Sequence, residues 1–327
     1  MKSVFITGAT GVVGSDLLRA AVDSAPEVKA LVRSDEAAQF VEHLGATAVR
    51  GDVTDSAGLS DAMWGSDTVF NVAGVNETCT KHVELMEAVN VDGPSNVVNA
   101  AADAGVRRVV HTSSVAGMGV AEGMIGSEVT VHNGEYQSAY GRSKHRGEQA
   151  AMETALDRGI DCVVVNPVSV QGVGRSSGSA ELFVRALTAR RPILADVTVS
   201  IVDRADCTKG HLLAAEQGIA GERYILSGHS VSVSELVNLM SAMLDRPLNP
   251  RWISEGFLRS VGMPLSRLAA LFGKGDDVCP DLVRTMLHGH RYDNTKSRDD
   301  LGMSYTPLED TLFRLLEWLR SEGHIGT

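Results

Sequence analysis

The strongest constraint on this chain lies near its start. An apolar run, Val4-Phe5-Ile6, passes into Thr7-Gly8-Ala9-Thr10-Gly11-Val12-Val13-Gly14, after which helical patterning begins. Glycines three apart between a strand and a helix allow a tight turn. They also let backbone N–H groups approach an anion at the helix N-terminus, where the helix dipole favours negative charge. The spacing is Gly-x-x-Gly-x-x-Gly, one residue longer than the Gly-x-Gly-x-x-Gly dinucleotide fingerprint. In this position it reads as a pyrophosphate cradle formed by Gly8, Thr10, Gly11, Val12, Val13 and Gly14.

The pattern that follows fits such a loop. Strands are predicted at 2–6, 28–32, 47–50, 68–72, 106–112 and 162–166, and helices at 12–22, 35–43, 59–64, 81–103 and 139–157. Strand and helix in alternation imply a parallel sheet covered by helices on both faces, the doubly wound α/β (Rossmann) architecture. Beyond about residue 170 the rhythm changes to helical and irregular segments, with one late strand at 223–226. Ser232-Val233-Ser234-Glu235 reads as a capping box opening a helix. Leu308, Leu312, Leu315, Leu316 and Leu319 give the last helix an apolar face. The expected layout is a dinucleotide-binding core over 1–170. A smaller, mostly helical substrate lobe takes up most of 171–327, with some segments returning to the core.

Composition narrows the function. The chain has 327 residues, 43% hydrophobic and 22% charged, as expected of an ordered protein. Its 30 Lys and Arg against 41 Asp and Glu leave a formal net charge of −11. Such a surface repels phosphate backbones and anionic membranes, so neither nucleic acid nor membrane is an expected partner. Cys79, Cys162, Cys207 and Cys279 show no paired spacing and read as four free thiols in a reducing compartment. With no spanning segment and no signal peptide in view, a cytoplasmic protein is expected. His111, His132, His145 and His211 share no metal-ligand spacing, so no metal is expected.

Three further features carry chemistry. The second strand ends in Arg33, whose forked guanidinium suits the 2′-phosphate of NADPH; an acidic residue there would bind the ribose of NAD. One charge-assisted hydrogen bond is worth about 1.5–3 kcal/mol. Asp35, two residues on, works against this preference, and NAD stays possible. Tyr140 and Lys144 stand four apart in a helical stretch and so share a face. A nearby ammonium lowers a phenol's pKa, and Tyr140 would then act as general acid toward a developing alkoxide. Ser114 follows a strand end, where doubly wound sheets bind ligands, and its hydroxyl suits a substrate carbonyl.

These landmarks, taken in order, resemble the extended short-chain dehydrogenase/reductase (NAD-dependent epimerase/dehydratase) family, in its dihydroflavonol-reductase-like branch. The matching runs are Thr7 to Gly14, Gly51-Asp52-Val53, Phe70 to Gly74, Asn90-Val91-Asp92-Gly93, His111 to Ser114, Tyr140 to Lys144, Asn166-Pro167, and Tyr292-Asp293-Asn294 through Leu301-Gly302. The resemblance implies that Ser114, Tyr140 and Lys144 form the catalytic triad and that Asn90 positions Lys144 through water. It implies cofactor contacts from Asp52, Val53, Val72, Ala73, Gly74 and Thr112, from Tyr140 and Lys144, and from Asn166, Pro167 and Val168. It also implies a homodimer through the helices near 81–103 and 139–157. The chain departs from the family pattern at Asn71 to Gly74, Gly172 to Arg175 and Asp203 to Asp206.

The expected activity is NADPH-dependent reduction of a small-molecule ketone or aldehyde, or the reverse oxidation of an alcohol. Sugar-nucleotide epimerisation is the alternative, with Arg175, Arg185, Arg190 and Arg191 as candidate diphosphate contacts. A dehydratase is disfavoured because Val115 and Ala116 follow Ser114 where an acidic pair is wanted. A non-catalytic NADP sensor is disfavoured because the Tyr/Lys pair is kept.

Overall fold

Alternation along the first strand sets the architecture. In β1 (Ser3–Thr7), Val4 and Ile6 join one apolar cluster and Phe5 another, so the strand is buried on both faces. The computed structural model describes residues 1–174, 181–189, 191–271, 279–289 and 291–325. Its central sheet has seven strands: β1, β2 (Glu27–Val32), β3 (Thr47–Arg50), β4 (Thr68–Asn71), β5 (Arg108–Thr112), β6 (Asp161–Pro167) and β7 (Arg223–Leu226), in spatial order 3-2-1-4-5-6-7. Every pairing is parallel; Val4 faces Val28 on one side and Thr68 on the other. The order reverses at β1, and ligands of such sheets bind at that crevice, beyond the carboxyl ends of the strands.

Helices cover both faces. Leu17 and Leu18 of α1 (Val12–Ser24), Val41 of α2 (Asp35–His43) and Ala214 of the helix Arg204–Gln217 pack with Val4 and Ile6. Leu59 and Met63, Val97 and Val98, and Ala151 and Ala155 pack with Phe5, Val69 and Val109 on the other face. A third cluster belongs to the second half of the chain. Leu308, Leu312, Leu315, Leu316 and Leu319 of the last helix, Leu308–Ser321, meet Leu236 and Met240 of the helix Val233–Met243 there. The Ser232 hydroxyl accepts the N–H of Glu235, forming the first half of the capping box.

The structure departs from the sequence reading in three places. The stretch read as one helix over 81–103 is a helix Val83–Glu87, a π-helical turn Ala88–Asp92 and a helix Gly93–Asp103. The second half holds more strands than the one expected. Ser169–Gln171, Thr198–Asp203 and His229–Ser232 form a three-stranded sheet, and Ile193–Ala195 pairs with Arg251–Ile253. The cysteines are not four free thiols. Cys79 and Cys279 are bridged, their Cα atoms 5.6 Å apart across a sequence separation of 200, while Cys162 and Cys207 are buried thiols outside the bridge. Spacing along the chain carries no trace of a bridge closed by folding, and the inference from free thiols to a reducing compartment falls with it. Among the described residues no helix is long and apolar enough to cross a membrane.

A bridge closing so long a loop stabilises a fold by about 2–4 kcal/mol. The thermal midpoint is expected to fall by several degrees in dithiothreitol. Cys279→Ser should fall equally and show no further response to the reductant; equal midpoints with and without dithiothreitol in the unaltered chain would refute this.

Candidate active site

The predicted site residues gather along the carboxyl edge of the sheet. At the end of β1, Thr7 Oγ1 donates to Asn71 Oδ1 (2.7 Å) and accepts the N–H groups of Val72 and Ala73 (both 3.1 Å). One buried hydroxyl thus ties the glycine loop to the end of β4. A Cβ on Gly14 would stand 2.1 Å from the Gly8 carbonyl oxygen, and one on Gly8, where φ is +69°, 2.7 Å from the Ala73 backbone. Only glycine lets loop, helix and β4 end converge this closely. The first turn of α1 carries no acidic side chain, and its cap residue Gly11 offers no side-chain acceptor. These backbone N–H groups fit the pyrophosphate of a dinucleotide.

On the other side of β1, Arg33 follows β2 with its side chain 72% exposed, its NH1 3.6 Å from Asp52 Oδ2. Burial works against the Asp52 carboxylate, but hydrogen bonds from Thr54 and the Arg33 guanidinium outweigh it and hold its pKa below the usual value. Asp35, expected to work against the NADPH preference, is ion-paired with Arg50. Val53 is turned into the core against Gly93, and its carbonyl accepts the Asn96 side chain (3.0 Å).

Lys144 lies on the helix Ala139–Arg158, 6% exposed, with Nζ donating to the Thr112 carbonyl at the end of β5 (2.6 Å). Burial pushes its pKa down to about 8, and the carboxylate of Glu148, one turn on, works in the opposite direction. Glu148 accepts from Asn166 Nδ2 (2.7 Å) and from Arg223 (3.2 Å). Asn166 Oδ1 is buried and has no partner among the described residues; Pro167 and Val168 beside it are buried. Thr112 Oγ1 meets His211 Nε2 (2.9 Å), and His211 Nδ1 meets the Cys207 carbonyl (2.8 Å). The carbonyl requires a proton on Nδ1, so Nε2 accepts from Thr112. Burial lowers the His211 pKa to about 4, against the pull of that carbonyl, which keeps the ring neutral.

Asn90 sits in the π-helical turn, a feature that recurs at functional sites. Its Oδ1 accepts the Val75 N–H (2.8 Å), and its Nδ2 reaches the Val75 carbonyl and Ser143 Oγ (both 2.9 Å). Gly74 lies between: a Cβ there would be 3.3 Å from Asn90 Oδ1 and 3.8 Å from Lys144 Nζ. Asn90, Gly74, Lys144 and Thr112 are therefore one cluster. Ser114 caps the short turn Val115–Gly117, accepting the Ala116 N–H (3.2 Å), so its own proton stays available to an acceptor. A Cβ on Gly141 would meet the Ala116 carbonyl at 2.7 Å, which shows how tightly this turn lies against the residue next to Tyr140.

Sequence reasoning missed Thr7, Glu148 and His211. Glu148 had a signal, being four residues beyond Lys144 on the same face. His211 and Thr7 had none, since their partners lie 99 and 64 residues away. Of the arginines considered for a diphosphate, Arg175 and Arg190 lie outside the described residues, as does the side chain of Arg185.

A sequence model of the NAD dependent epimerase/dehydratase family matches residues 4–226. A Synechocystis sp. protein named as a dihydroflavonol 4-reductase is 30% identical over 99% of this chain and 96% of its own length. Cinnamoyl-CoA reductase 1 of Petunia hybrida is 27% identical, covering 98% of this chain and 93% of that one. The crystal structure of gox2253 superposes with a TM-score of 0.86 at 26% identity over the full length of both chains. With more than half its length matched, this chain belongs to the NAD dependent epimerase/dehydratase family and is an NAD(P)-dependent oxidoreductase of the extended short-chain dehydrogenase/reductase type.

Proposed function

We propose that the protein is an NADPH-dependent reductase of a small-molecule ketone or aldehyde, with Tyr140 as its general acid. The observation that carries this reading is the buried Lys144 ammonium, fixed on the Thr112 carbonyl one helical turn from Tyr140. NADPH, when bound, supplies the hydride. Ser114 donates to the substrate carbonyl oxygen and holds the carbonyl for attack. Tyr140 passes its proton to that oxygen as negative charge develops, and Lys144 stabilises the phenolate left behind. Lowering a tyrosine from ~10 by ~2–3 units takes about 3–4 kcal/mol, within the reach of an ammonium held from water. Asn90 keeps the Gly74–Val75 backbone against Lys144. Gly8 to Gly14 take the pyrophosphate, Arg33 the 2′-phosphate and Asp52 the adenosine end, with Thr112 and Asn166 to Val168 beside the nicotinamide. The reading includes a homodimer: the helices ending at Asp103 and Arg158 pack together within the chain, and Leu85 and Leu156 are left exposed.

The test is NADPH oxidation followed at 340 nm over a panel of aldehydes, aliphatic and aromatic ketones and ketosteroids. Tyr140→Phe should abolish turnover and leave NADPH binding nearly intact. Turnover surviving in Tyr140→Phe would remove the general acid. No turnover with any carbonyl, despite tight NADPH binding, would favour an epimerase that returns its hydride.

Arg33→Asp is expected to weaken NADPH about 10- to 150-fold, the worth of one charge-assisted hydrogen bond, with NADH little changed. Equal losses for both would refute the cofactor preference.

The rate should fall on the alkaline side as Lys144, whose pKa burial pushes down to about 8, loses its proton. The Glu148 carboxylate favours the cation, so Glu148→Gln lowers the Lys144 pKa and moves the alkaline limb to lower pH. A kcat/KM profile whose limb stays in place, or moves upward, would count against this role.

A further inference from the structure

The helix that carries Tyr140 does not complete its own N-terminus. Its cap residue Ser138 accepts the Gly141 N–H (3.0 Å), but the Ala139 N–H is taken by Asp281 Oδ2 (2.9 Å), from 142 residues further along the chain. Asp281 stands in the first turn of the helix Pro280–His288. Its other oxygen is ion-paired with Arg284, whose Nε also donates to the Gln137 carbonyl (3.1 Å). His288 Nε2 donates to the Val120 carbonyl (2.7 Å). Three side chains of one helix therefore grip the segment between Ser114 and Tyr140. The helix is itself tied to a further segment, because its cap residue Cys279 is bridged to Cys79. Cys79 lies in the loop that follows Val72 to Val75 and precedes the helix leading to Asn90.

We propose that Asp281 is a positioning residue for Tyr140 and that the Cys79–Cys279 bridge clamps the helix that delivers it. This rests on the reading of Tyr140 given above. An N–H at a helix N-terminus needs an acceptor, and the Ser138 hydroxyl is already occupied by Gly141. Asp281 fixes the first helical residue, immediately before Tyr140. Its loss frees the turn on which the phenol sits, and a small misplacement of a reacting group is costly in rate. The contact also couples the second half of the chain to the chemistry, since displacing the helix Pro280–His288 withdraws the cap.

Hydrogen exchange of peptides spanning 138–144 tests the coupling without a substrate. Asp281→Ala is expected to raise exchange there several-fold. Asp281→Asn, which keeps an acceptor oxygen, should hold it near the unaltered level. Reduction of the bridge perturbs the same helix with no change of sequence. A dithiothreitol thiolate attacks one sulfur, the S–S bond breaks, and Cys79 and Cys279 gain two electrons and two protons as the reagent closes to its own disulfide. Exchange over 138–144 should rise here too, and Cys279→Ser should show that rise without reductant. With a carbonyl that is turned over, Asp281→Ala should lower kcat roughly 10- to 100-fold, with NADPH affinity unchanged, and Asp281→Asn should restore most of it. Unchanged exchange in Asp281→Ala, or an Asn variant as impaired as the Ala variant, would overturn the positioning role. Unchanged exchange after reduction would overturn the clamp. Failure of the Tyr140 reading is separate: Tyr140→Phe would then keep its activity whatever the exchange shows.

Discussion

Lys144 carries its ammonium almost out of contact with water, and much of the surrounding structure answers to that. A buried charge costs several kcal/mol unless it is paired and hydrogen-bonded. Here the compensation comes from three strands and one helix at once. The Thr112 carbonyl at the end of β5 accepts from Nζ. Glu148 supplies opposite charge from the next turn of the same helix, and Asn166 of β6 and Arg223 of β7 hold it in place. The arrangement works only while β5, β6 and β7 keep register. Thr112 pairs with Val165, and the Ser113 N–H continues that ladder to the Val165 carbonyl (2.8 Å). Thr112 is fixed a second time through its hydroxyl by a neutral, fully buried His211.

The glycine loop solves a different problem by a different means. Its contribution is backbone N–H groups and space, so what matters is that nothing intrudes. Thr7 secures this from below: its single hydroxyl closes β1 onto the end of β4. A turn of this type depends on glycine spacing and few side-chain identities, which is why it was legible in a single sequence. Much of the Rossmann half was legible for a related reason. Strand β3 and helix α2 fall where periodicity put them, because residues buried on a sheet face or a helix stripe repeat locally.

The features that escaped the sequence all depend on contacts remote along the chain. The π-helical turn Ala88–Asp92 interrupts a run whose apolar spacing reads as uninterrupted helix, and the interruption seats Asn90 between the Val75 backbone and Ser143. The strands Ser169–Gln171, Ile193–Ala195, Thr198–Asp203, His229–Ser232 and Arg251–Ile253 are three to six residues long. Three of them have only three residues, too few for an alternation to show. Asp281 looks like any acidic residue in a first helical turn, and only the fold reveals that the N–H it caps belongs to another helix. The ion pair of Asp35 with Arg50 of β3 is likewise a contact that spacing along the chain does not show.

The two halves therefore specify function in unequal ways. The glycine loop and the buried polar groups around Lys144 all lie inside the stretch the family model covers. The helix Pro280–His288, whose side chains hold the segment before Tyr140, lies beyond that stretch. Among the described residues, the side chains of Asp281, Arg284 and His288 reach the segment between Ser114 and Tyr140, and one covalent bridge ties the cap residue Cys279 to Cys79. Such contacts can be exchanged one at a time without disturbing the sheet. A relative can then keep the tyrosine, the lysine and the glycine loop while changing what lies across the cleft from them. One scaffold can in this way serve proteins named as reductases, epimerases and dehydratases, because the buried polar groups at the sheet edge can stay while the contacts made from outside it change.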